Sequence, residues 1–347
     1  MTNGVRPKIF LPVVILLLFI ASIAALTQGS THVDLEVTLR VLAAKLTFHT
    51  LSGSVSKVDE VIVWLIRVPR VIVAAFVGAG LAVAGGLMQG LFRNPLAEPN
   101  IVGVGSGAVL GAVIVFLSGL TVKSALALPL AGFSGALLAL ATVYALATRG
   151  GITPVSTLLL SGIALAALLG AISSLLISLS IVNWQVAQEI VFWMMGGLDS
   201  RTWTHVWISA PFISLGMGFS LYYARDLDLL IQGEETAAAL GVDVELSKRA
   251  IIVMAALLTG SCVAVAGAVG FVGLIVPHVT RLFVGPGHRA LLPSSALVGA
   301  AFLIVCDLLA RTVHPPAEIR LGIITAAFGA PFFIFLLLRK FREVSLL

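Results

Sequence analysis

The stretch from residue 86 to residue 107 constrains the fold most, because it places turn-forming residues between two long apolar runs. It reads GLMQGLFRNPLAEPNIVGVGSG, with Pro95 and Pro99 inside it and glycines on both sides. Irregular backbone between membrane-length apolar segments is tolerated only at a membrane surface, inside protein or along a water-filled path. The stretch therefore predicts a polytopic membrane protein of the transporter or channel type, not a simple membrane anchor.

The composition also indicates a membrane protein. The chain has 347 residues, of which 59% are hydrophobic and 11% are charged, whereas an ordinary soluble domain has about 25% charged residues. The two cysteines, Cys262 and Cys306, lie in apolar runs and indicate neither a disulfide framework nor a cysteine-rich metal site. The net charge of +5 is modest, and in a membrane protein it reports the sidedness of the loops, so we expect no nucleic-acid partner.

Ten apolar runs are candidates for transmembrane helices, since a bilayer core needs about 20 residues per helix. The first follows Arg6 and Lys8, and at about 18 residues it is long for the apolar region of a signal peptide, so we interpret it as an uncleaved helix. The predicted spans are 9–27, 61–82, 100–118, 125–147, 153–179, 203–223, 249–268, 272–284, 291–311 and 318–338. The predicted fold is all-α, with a single transmembrane domain over residues 1–347.

The distribution of positive charge predicts which side of the membrane the loops face. With the N-terminus inside, twelve Lys and Arg residues lie on the inner side and nine on the outer side, and the short inner loops are consistently basic. Because positive residues favour the cytoplasmic side, we expect a location in the cell inner membrane with both termini in the cytoplasm. In the outer segment 29–60, leucines from Leu35 to Leu46 recur at helical spacing, which predicts a short helix lying on the outer surface.

The longest inner loop, 224–248, predicts a second short helix. A glycine precedes two glutamates and an alanine-rich run, and another glycine ends the run; acidic residues in the first turn and glycine after the last are typical of a helix. The length and the small apolar face of Ala237, Ala238 and Leu240 favour docking in a groove on a partner, and an ordinary solvated connector is the alternative. The residues assigned to docking are Gly233, Glu234, Glu235, Ala238 and Gly241.

Glycines recur every four residues at the start of the third predicted span, at Gly103, Gly107 and Gly111. This spacing predicts close helix packing, because glycine lets two backbones approach each other. Asn94 and Pro95 open the turn that leads to them, and we expect the whole set to pack helices or line a path. The chain contains no Gly-x-x-x-x-Gly-Lys-Ser/Thr phosphate loop, so any nucleotide that drives it must bind another polypeptide.

Three arginines, Arg67, Arg70 and Arg311, are predicted at the outer ends of spans two and nine. Interfacial snorkelling is one interpretation, and an anionic docking surface formed by all three is the other. Asp307 precedes Arg311 by four residues, which predicts a local ion pair.

The predicted spans contain few residues that could catalyse a reaction or bind an ion. Their midplane is almost uncharged, whereas an ion-coupled secondary transporter, the remote alternative, usually has ionisable groups there. The six histidines are scattered, so no convergent set predicts catalytic residues or a metal site. We therefore expect a transport subunit that is not an enzyme.

Seven stretches together resemble the FecCD-type permeases, the membrane subunits of ABC importers for iron-siderophores, haem and vitamin B12. The resemblance extends over residues 65–338. The stretches are RVPR at 67–70, GGLMQGLFRNPLAEPNIVGVGSGA at 85–108, WMMGGLDSRTW at 193–203, GEETAAALGV at 233–242, GAVGFVGLIVPHVTRL at 267–282, HRALLPSSALVGAAFLIVCDLLAR at 288–311 and IRLGIITAAFGAPFFIFLLLR at 319–339.

The resemblance implies ten helices per subunit and a homodimer or pseudo-dimer with the path at its interface. It also implies two cytoplasmic ATPase subunits that bind ATP and Mg, an extracytoplasmic substrate-binding protein, and no cofactor on this chain. Arg67, Arg70 and Arg311 match positions that meet carboxylates of the binding protein in relatives, and residues 233–242 match the helix that couples to the ATPase. The expected substrate is an iron-siderophore, with haem and cobalamin as alternatives, and Arg320 has no assigned role.

Overall fold

The computed structural model describes residues 7–29, 31–47, 55–124, 126–180 and 184–344. These residues form helices and connecting loops, and no β-strand occurs among them. The helices are α1 (Pro7–Thr27), α2 (Leu35–Leu46), α3 (Lys57–Glu60), α4 (Val68–Leu91), α5 (Val104–Leu117), α6 (Leu120–Lys123), α7 (Ala127–Ala147), α8 (Val155–Leu179), α9 (Trp184–Met194), α10 (Trp203–Tyr222), α11 (Ala224–Gln232), α12 (Glu234–Ala239), α13 (Val244–Ala266), α14 (Val272–Val284), α15 (His288–Thr312) and α16 (Leu321–Val344).

Every predicted span falls on one of these helices. In the described part of the chain, six helices are long and apolar enough to cross a membrane, and α10 and α11 form a further candidate that is bent by 50°. The three remaining spans correspond to the shorter apolar helices α5, α14 and α16. The predicted all-α membrane architecture is therefore confirmed.

The second predicted span, 61–82, was too short. The structure continues without a break from α3 through a π-helical segment, Val61–Arg67, into α4, so the apolar helix runs from Lys57 to Leu91. Gly86 and Gly90 have the same four-residue spacing as the packing glycines of α5, and both lie inside α4. They remain helical because α15 packs there: a Cβ atom on Gly90 would lie 2.8 Å from the His288 ring.

The connection between α4 and α5, from Phe92 to Gly103, consists of turns and one short 3-10 helix, Pro99–Val102. This segment turns back into the protein, since Pro99 lies against Gly273 near the beginning of α14. There the backbone N–H of Phe271 donates to the Glu98 carboxylate at 3.1 Å. Burial raises the pKa of Glu98, and this hydrogen bond opposes the rise. The part of this segment around Ala97 and Pro99 is thus enclosed by protein, which is one of the locations where a membrane protein tolerates non-helical backbone.

Helix α4 lies at the centre of the bundle and contacts α10, α13, α14 and α15. In the most apolar 18 residues of the helix that contains α4, 83% of the residues are buried, whereas in the most apolar 18 residues of α8 only 11% are buried. A helix that is apolar all round and unburied must face lipid or another subunit. The exposed side of α8 is therefore the side available to a partner.

The glycines of α5 pack it against α7. A side chain on Gly107 would clash with the backbone of Gly135, and one on Gly111 would clash with the backbone of Ala131. Gly103 caps α5 with a left-handed φ of +79° and lies near Gly162 of α8.

The outer segment contains a helix, α2, at the predicted place, and residues 48–54 of that segment lie outside the described residues. Leu35, Leu39 and Leu46 are exposed, and Thr38 and Val41 face the protein. An exposed leucine face suits a lipid surface, and its position on the membrane stays a prediction.

We expect Gly107→Ala to lower the melting temperature of the purified protein, because overpacking a tight helix contact costs about 1–3 kcal/mol. Gly218→Ala in α10 is the matched control: it is also a helical glycine, and a Cβ atom there meets nothing within 4 Å. Both substitutions replace a helical glycine by alanine, so the gain in helix propensity is the same in the two variants and cancels in the comparison. Equal thermal unfolding of the two variants in detergent would contradict the packing assignment.

Candidate functional sites at the two ends of the bundle

The candidate residues gather at opposite ends of the bundle. At the end that we call the arginine end, α1 and α15 terminate and Arg67, Arg70 and Arg311 lie close together, two of them against Gly29. At the other end, called the α12 end, α4 terminates and α12 lies at the surface. Phe10 near the start of α1 stacks on Phe283 near the end of α14 at this second end, with ring centroids 4.9 Å apart.

Arg70 is held by two carboxylates of its own chain. Its Nε donates to Asp307 at 3.0 Å, and its Nη2 donates to Asp307 Oδ1 at 2.8 Å. Its two Nη atoms also donate to the two oxygens of Glu318, at 2.9 and 2.8 Å. Glu318 belongs to the loop between α15 and α16, so this fork-to-fork pair ties the loop to α4.

Arg67 and Arg311 bind the carboxyl end of α1. Arg67 Nη1 donates to the carbonyl oxygens of Leu26 and Thr27, both at 2.8 Å, and Arg311 Nη2 donates to the Ala25 carbonyl at 2.6 Å. Cations are favourable there, because the last carbonyls of a helix are unpaired and carry partial negative charge. Arg311 also lies 3.4 Å from Asp307, so the predicted local ion pair is confirmed.

The arginines differ from the expectation in their exposure. Their exposed fractions are 4% for Arg67, 6% for Arg70 and 5% for Arg311, so within this chain by itself none of the three offers an exposed guanidinium group. The reason is that Asp307, Glu318 and the α1 carbonyls reach them from distant parts of the sequence. Glu318 is the member that opens to solvent, with 33% of its side chain exposed. Docking by these arginines stays a prediction.

At the α12 end, the predicted helix is present as α12. Glu234 and Glu235 occupy its first turn, and Gly233 before it has φ +138°. Gly241 follows it with φ +86°, its N–H donates to the Ala238 carbonyl and the next N–H donates to the Ala237 carbonyl, which is the Schellman arrangement.

The predicted docking face of α12 needs one correction. Ala237 is fully buried against the protein, whereas Ala238 and Leu240 are exposed. The face offered to a partner is therefore made by the outer residues of α12, because the helix uses its inner side to pack on the bundle.

A buried lysine anchors α12. Lys248 of α13 lies 3.1 Å from Glu234 and 2.5 Å from Glu245, and only 3% of its side chain is exposed. Its Nζ also donates to the Thr153 carbonyl at 3.1 Å, and Glu245 accepts the Thr153 N–H at 3.1 Å. One cation thus connects α12, α13 and the turn that leads into α8.

Next to this network is an open cleft of about 620 Å³. Arg93 lines it and donates to the Leu230 carbonyl at 2.6 Å. Asn94 and Pro95 follow Arg93 and are exposed, and the Asn94 side chain accepts the Leu96 N–H at 3.0 Å. These two residues, expected to line a path or pack helices, form a surface turn at the α12 end, because the chain re-enters the bundle only after them.

Sequence reasoning missed Lys248 and Glu318. The three-residue spacing from Glu245 to Lys248 was a local signal of a helical ion pair. No local signal marked Glu318, whose partner Arg70 is 248 residues away in the chain.

We expect Asp307→Asn to lower the melting temperature much more than Glu318→Gln. Asp307 compensates two buried guanidinium groups, and breaking a buried pair costs about 3–5 kcal/mol, whereas a partly exposed pair contributes about 0–1 kcal/mol. Thermal unfolding of both variants in detergent measures this difference. A larger loss for the Glu318 variant would show that Asp307 is not the main counterion.

Known proteins share this sequence and fold. The sequence model of the FecCD transport family matches residues 15–339. The cobalamin import system permease protein BtuC of Halobacterium salinarum is 44% identical over 343 residues, which covers 94% of this chain and 89% of the relative. The hemin transport system permease protein HmuU of Yersinia pestis is 38% identical over 99% of this chain and 100% of the relative.

A solved structure agrees with these relatives. It is described as an inward-facing conformation of a metal-chelate type ABC transporter, and its chain superimposes with a TM-score of 0.83 at 32% identity, covering 96% of this chain and 100% of its own. The Fe(3+) dicitrate transport system permease protein FecD of Escherichia coli is 42% identical over 79% of this chain and 84% of the relative. The chain therefore belongs to the FecCD transport family and is a multi-pass membrane permease subunit of an ABC importer.

Proposed function

We propose that this chain forms the translocation path for an iron chelate, an iron-siderophore in the first place, across the inner membrane. A second copy of the permease completes the path, two cytoplasmic ATPase subunits bind ATP and Mg and act on α12, and an extracytoplasmic binding protein delivers the substrate to the arginine end. The chain itself performs no covalent chemistry.

The anchoring of α12 is the observation that carries this proposal. Its outer face is small and exposed, and Lys248 connects it to α13 and to the turn before α8. A push on α12 would therefore reach two apolar helices through the ion pair between Glu234 and the buried Lys248, not through a flexible loop. Separating the partners of Lys248 would leave an uncompensated buried charge, which is strongly unfavourable. The partners should therefore move together when α12 is displaced.

The exposed side of α8 supports a second copy. Leu160, Leu168 and Leu175 are exposed along it, and a polytopic chain gains stability when such a face packs on another subunit. Lipid covers the remaining apolar surface, including most of α1. The α12 end then faces the cytoplasm together with both termini, since the ATP is there.

The buried arginines change how the binding protein would dock. Both Nη atoms of Arg70 already bind Glu318, so a carboxylate of the binding protein would have to compete with Glu318 or bind beside it. The loop from Val313 to Arg320, which is largely exposed, is the surface that such a protein would meet first.

Cobalamin is the second candidate substrate, favoured by the 44% identity to a permease of that name. Relatives named for hemin and for iron(III) hydroxamate support the iron chelate. Uptake of iron-55 chelates and of labelled cobalamin into proteoliposomes with the partner ATPase and binding protein would decide between them.

We expect Gly241→Ala to reduce the substrate transported per ATP hydrolysed, because alanine at φ +86° costs about 1–2 kcal/mol and distorts the end of α12. Gly119→Ala is the matched control: Gly119 has φ +69°, meets nothing within 4 Å and lies at the arginine end. The measurement is uptake and ATPase activity in the same proteoliposomes. If both variants couple alike, α12 is not the coupling element.

We also expect no ATP-dependent uptake by the isolated chain in liposomes, because it has no phosphate loop. Addition of the ATPase subunits should restore uptake. Uptake driven by an ion gradient without them would favour a secondary transporter.

A further inference from the structure

A pocket of about 440 Å³ lies at the arginine end, away from Arg67, Arg70 and Arg311. It is enclosed by α9, the end of α5, the beginning of α7 and the loop before α10. Four aromatic or apolar side chains line it, and so do four charged ones, the carboxylates of Glu189 and Asp199 and the guanidinium groups of Arg201 and Arg320. The residues used below are Phe116, Phe192, Trp193, Asp199, Arg201 and Arg320.

Arg320, which the sequence left without a role, organises one side of this pocket. Its Nη1 lies 3.1 Å from Asp199 Oδ1, and its guanidinium stacks over the Phe192 ring at 4.4 Å from the centroid. Gly197 permits this arrangement, since a Cβ atom there would lie 2.7 Å from Asp199 Oδ1. The carboxylate of Asp199 is therefore already committed to Arg320.

Arg201, unlike Arg320, has no nearby counterion among the described residues. Among the described residues no carboxylate lies within 4.0 Å of its guanidinium. Its Nη1 is 3.4 Å from the His205 ring, and its Nε is buried without a hydrogen-bond partner. Burial lowers the pKa of Arg201, with Asp199 opposing the shift and Arg70 adding to it. Arg201 as a whole is half-buried, but its Nε is shielded from solvent and unpaired. A desolvated cation without a counterion is unfavourable, and Glu189, the other carboxylate lining the pocket, makes no ion pair with it, so the Nε side of Arg201 has room for an anion.

We propose that this pocket binds a carboxylate group of the transported chelate, with Arg201 as its cation and the aromatic side chains as its apolar wall. The proposal rests on the proposed function and narrows the substrate to chelates that carry carboxylates. The guanidinium fork of Arg201 matches the two oxygens of a carboxylate, while Phe116, Phe192 and Trp193 pack against the rest of the ligand.

A small molecule suits the pocket better than a side chain of a partner protein. Its volume is within the range of ligand pockets, roughly 300–1,000 Å³, and far exceeds a single carboxylate. The aromatic residues would remain uncovered if only a glutamate tip entered. Docking of a protein carboxylate is therefore the competing outcome for the test.

The test is a titration of the purified chain in detergent with ferric citrate and, separately, with a neutral ferric tris-hydroxamate, followed by quenching of tryptophan fluorescence, since Trp193 lines the pocket. We expect ferric citrate to bind and Arg201→Gln to weaken it at least tenfold. The affinity for the tris-hydroxamate should be the same in wild type and in Arg201→Gln. Arg201→Lys keeps the charge but loses the guanidinium fork, so its affinity for ferric citrate should lie between those of wild type and Arg201→Gln.

Two controls separate binding from structure. Arg289→Gln removes one exposed positive charge at the α12 end and should leave ferric citrate affinity unchanged. The melting temperature of ligand-free Arg201→Gln should stay level or rise, because the variant loses a half-buried cation that has no counterion, whereas removal of a structural arginine would lower the melting temperature.

Several results would overturn the proposal. These are absence of ferric citrate binding, equal affinity in wild type and Arg201→Gln, or a loss of binding-protein docking in Arg201→Gln with chelate affinity intact. The titration uses no ATPase, so failure here leaves the importer function standing. Conversely, if ATP-driven uptake failed, a measured dependence of ferric citrate affinity on Arg201 would still stand.

Discussion

Close backbone contact around α4 is the constraint on which the rest of the structure depends. Gly78 faces Gly299 of α15, and Gly85 faces Gly273 at the beginning of α14, at distances that admit no side chain on either partner. In lipid, where no water drives helices together, association relies on such packing and on hydrogen bonds between helices. Because α4 is fixed against α13, α14 and α15, the segment after it can re-enter the protein at Ala97 and Pro99, once the exposed turn at Asn94 and Pro95 is complete.

The two ends of the bundle use charge differently from its middle. At the arginine end, Arg67, Arg70 and Arg311 fasten α1, α4 and the loop before α16 with Asp307 and Glu318 as counterions. At the α12 end, Lys248 fastens α12 to α13 and to the turn before α8. Each network consists of buried cations whose partners come from separate elements.

Arg201 stands apart from these networks, and the contrast supports a functional interpretation. A cation that contributes to stability finds its counterion within the chain, as Arg70 and Lys248 do. A buried cation that lacks one lowers stability, and such costs persist in proteins where a ligand or partner provides the missing charge. The same logic explains why Arg320, with Asp199 and Phe192 around it, needs no ligand.

The sequence by itself determined the helical membrane architecture, the ten spans, the short α12 helix and the Asp307–Arg311 pair, because these follow from apolar run length and from residues within one or two helical turns. It ended the second span at residue 82, whereas α4 continues through Gly86 and Gly90 to Leu91, since glycine reads alike whether it ends a helix or admits a neighbour. Only the tertiary structure decided that Arg70 is buried on Glu318, that Lys248 anchors α12 and that Arg201 has no carboxylate. The physical reason is that counterions and burial are supplied by helices far apart in the chain, and no local pattern records which of them meet.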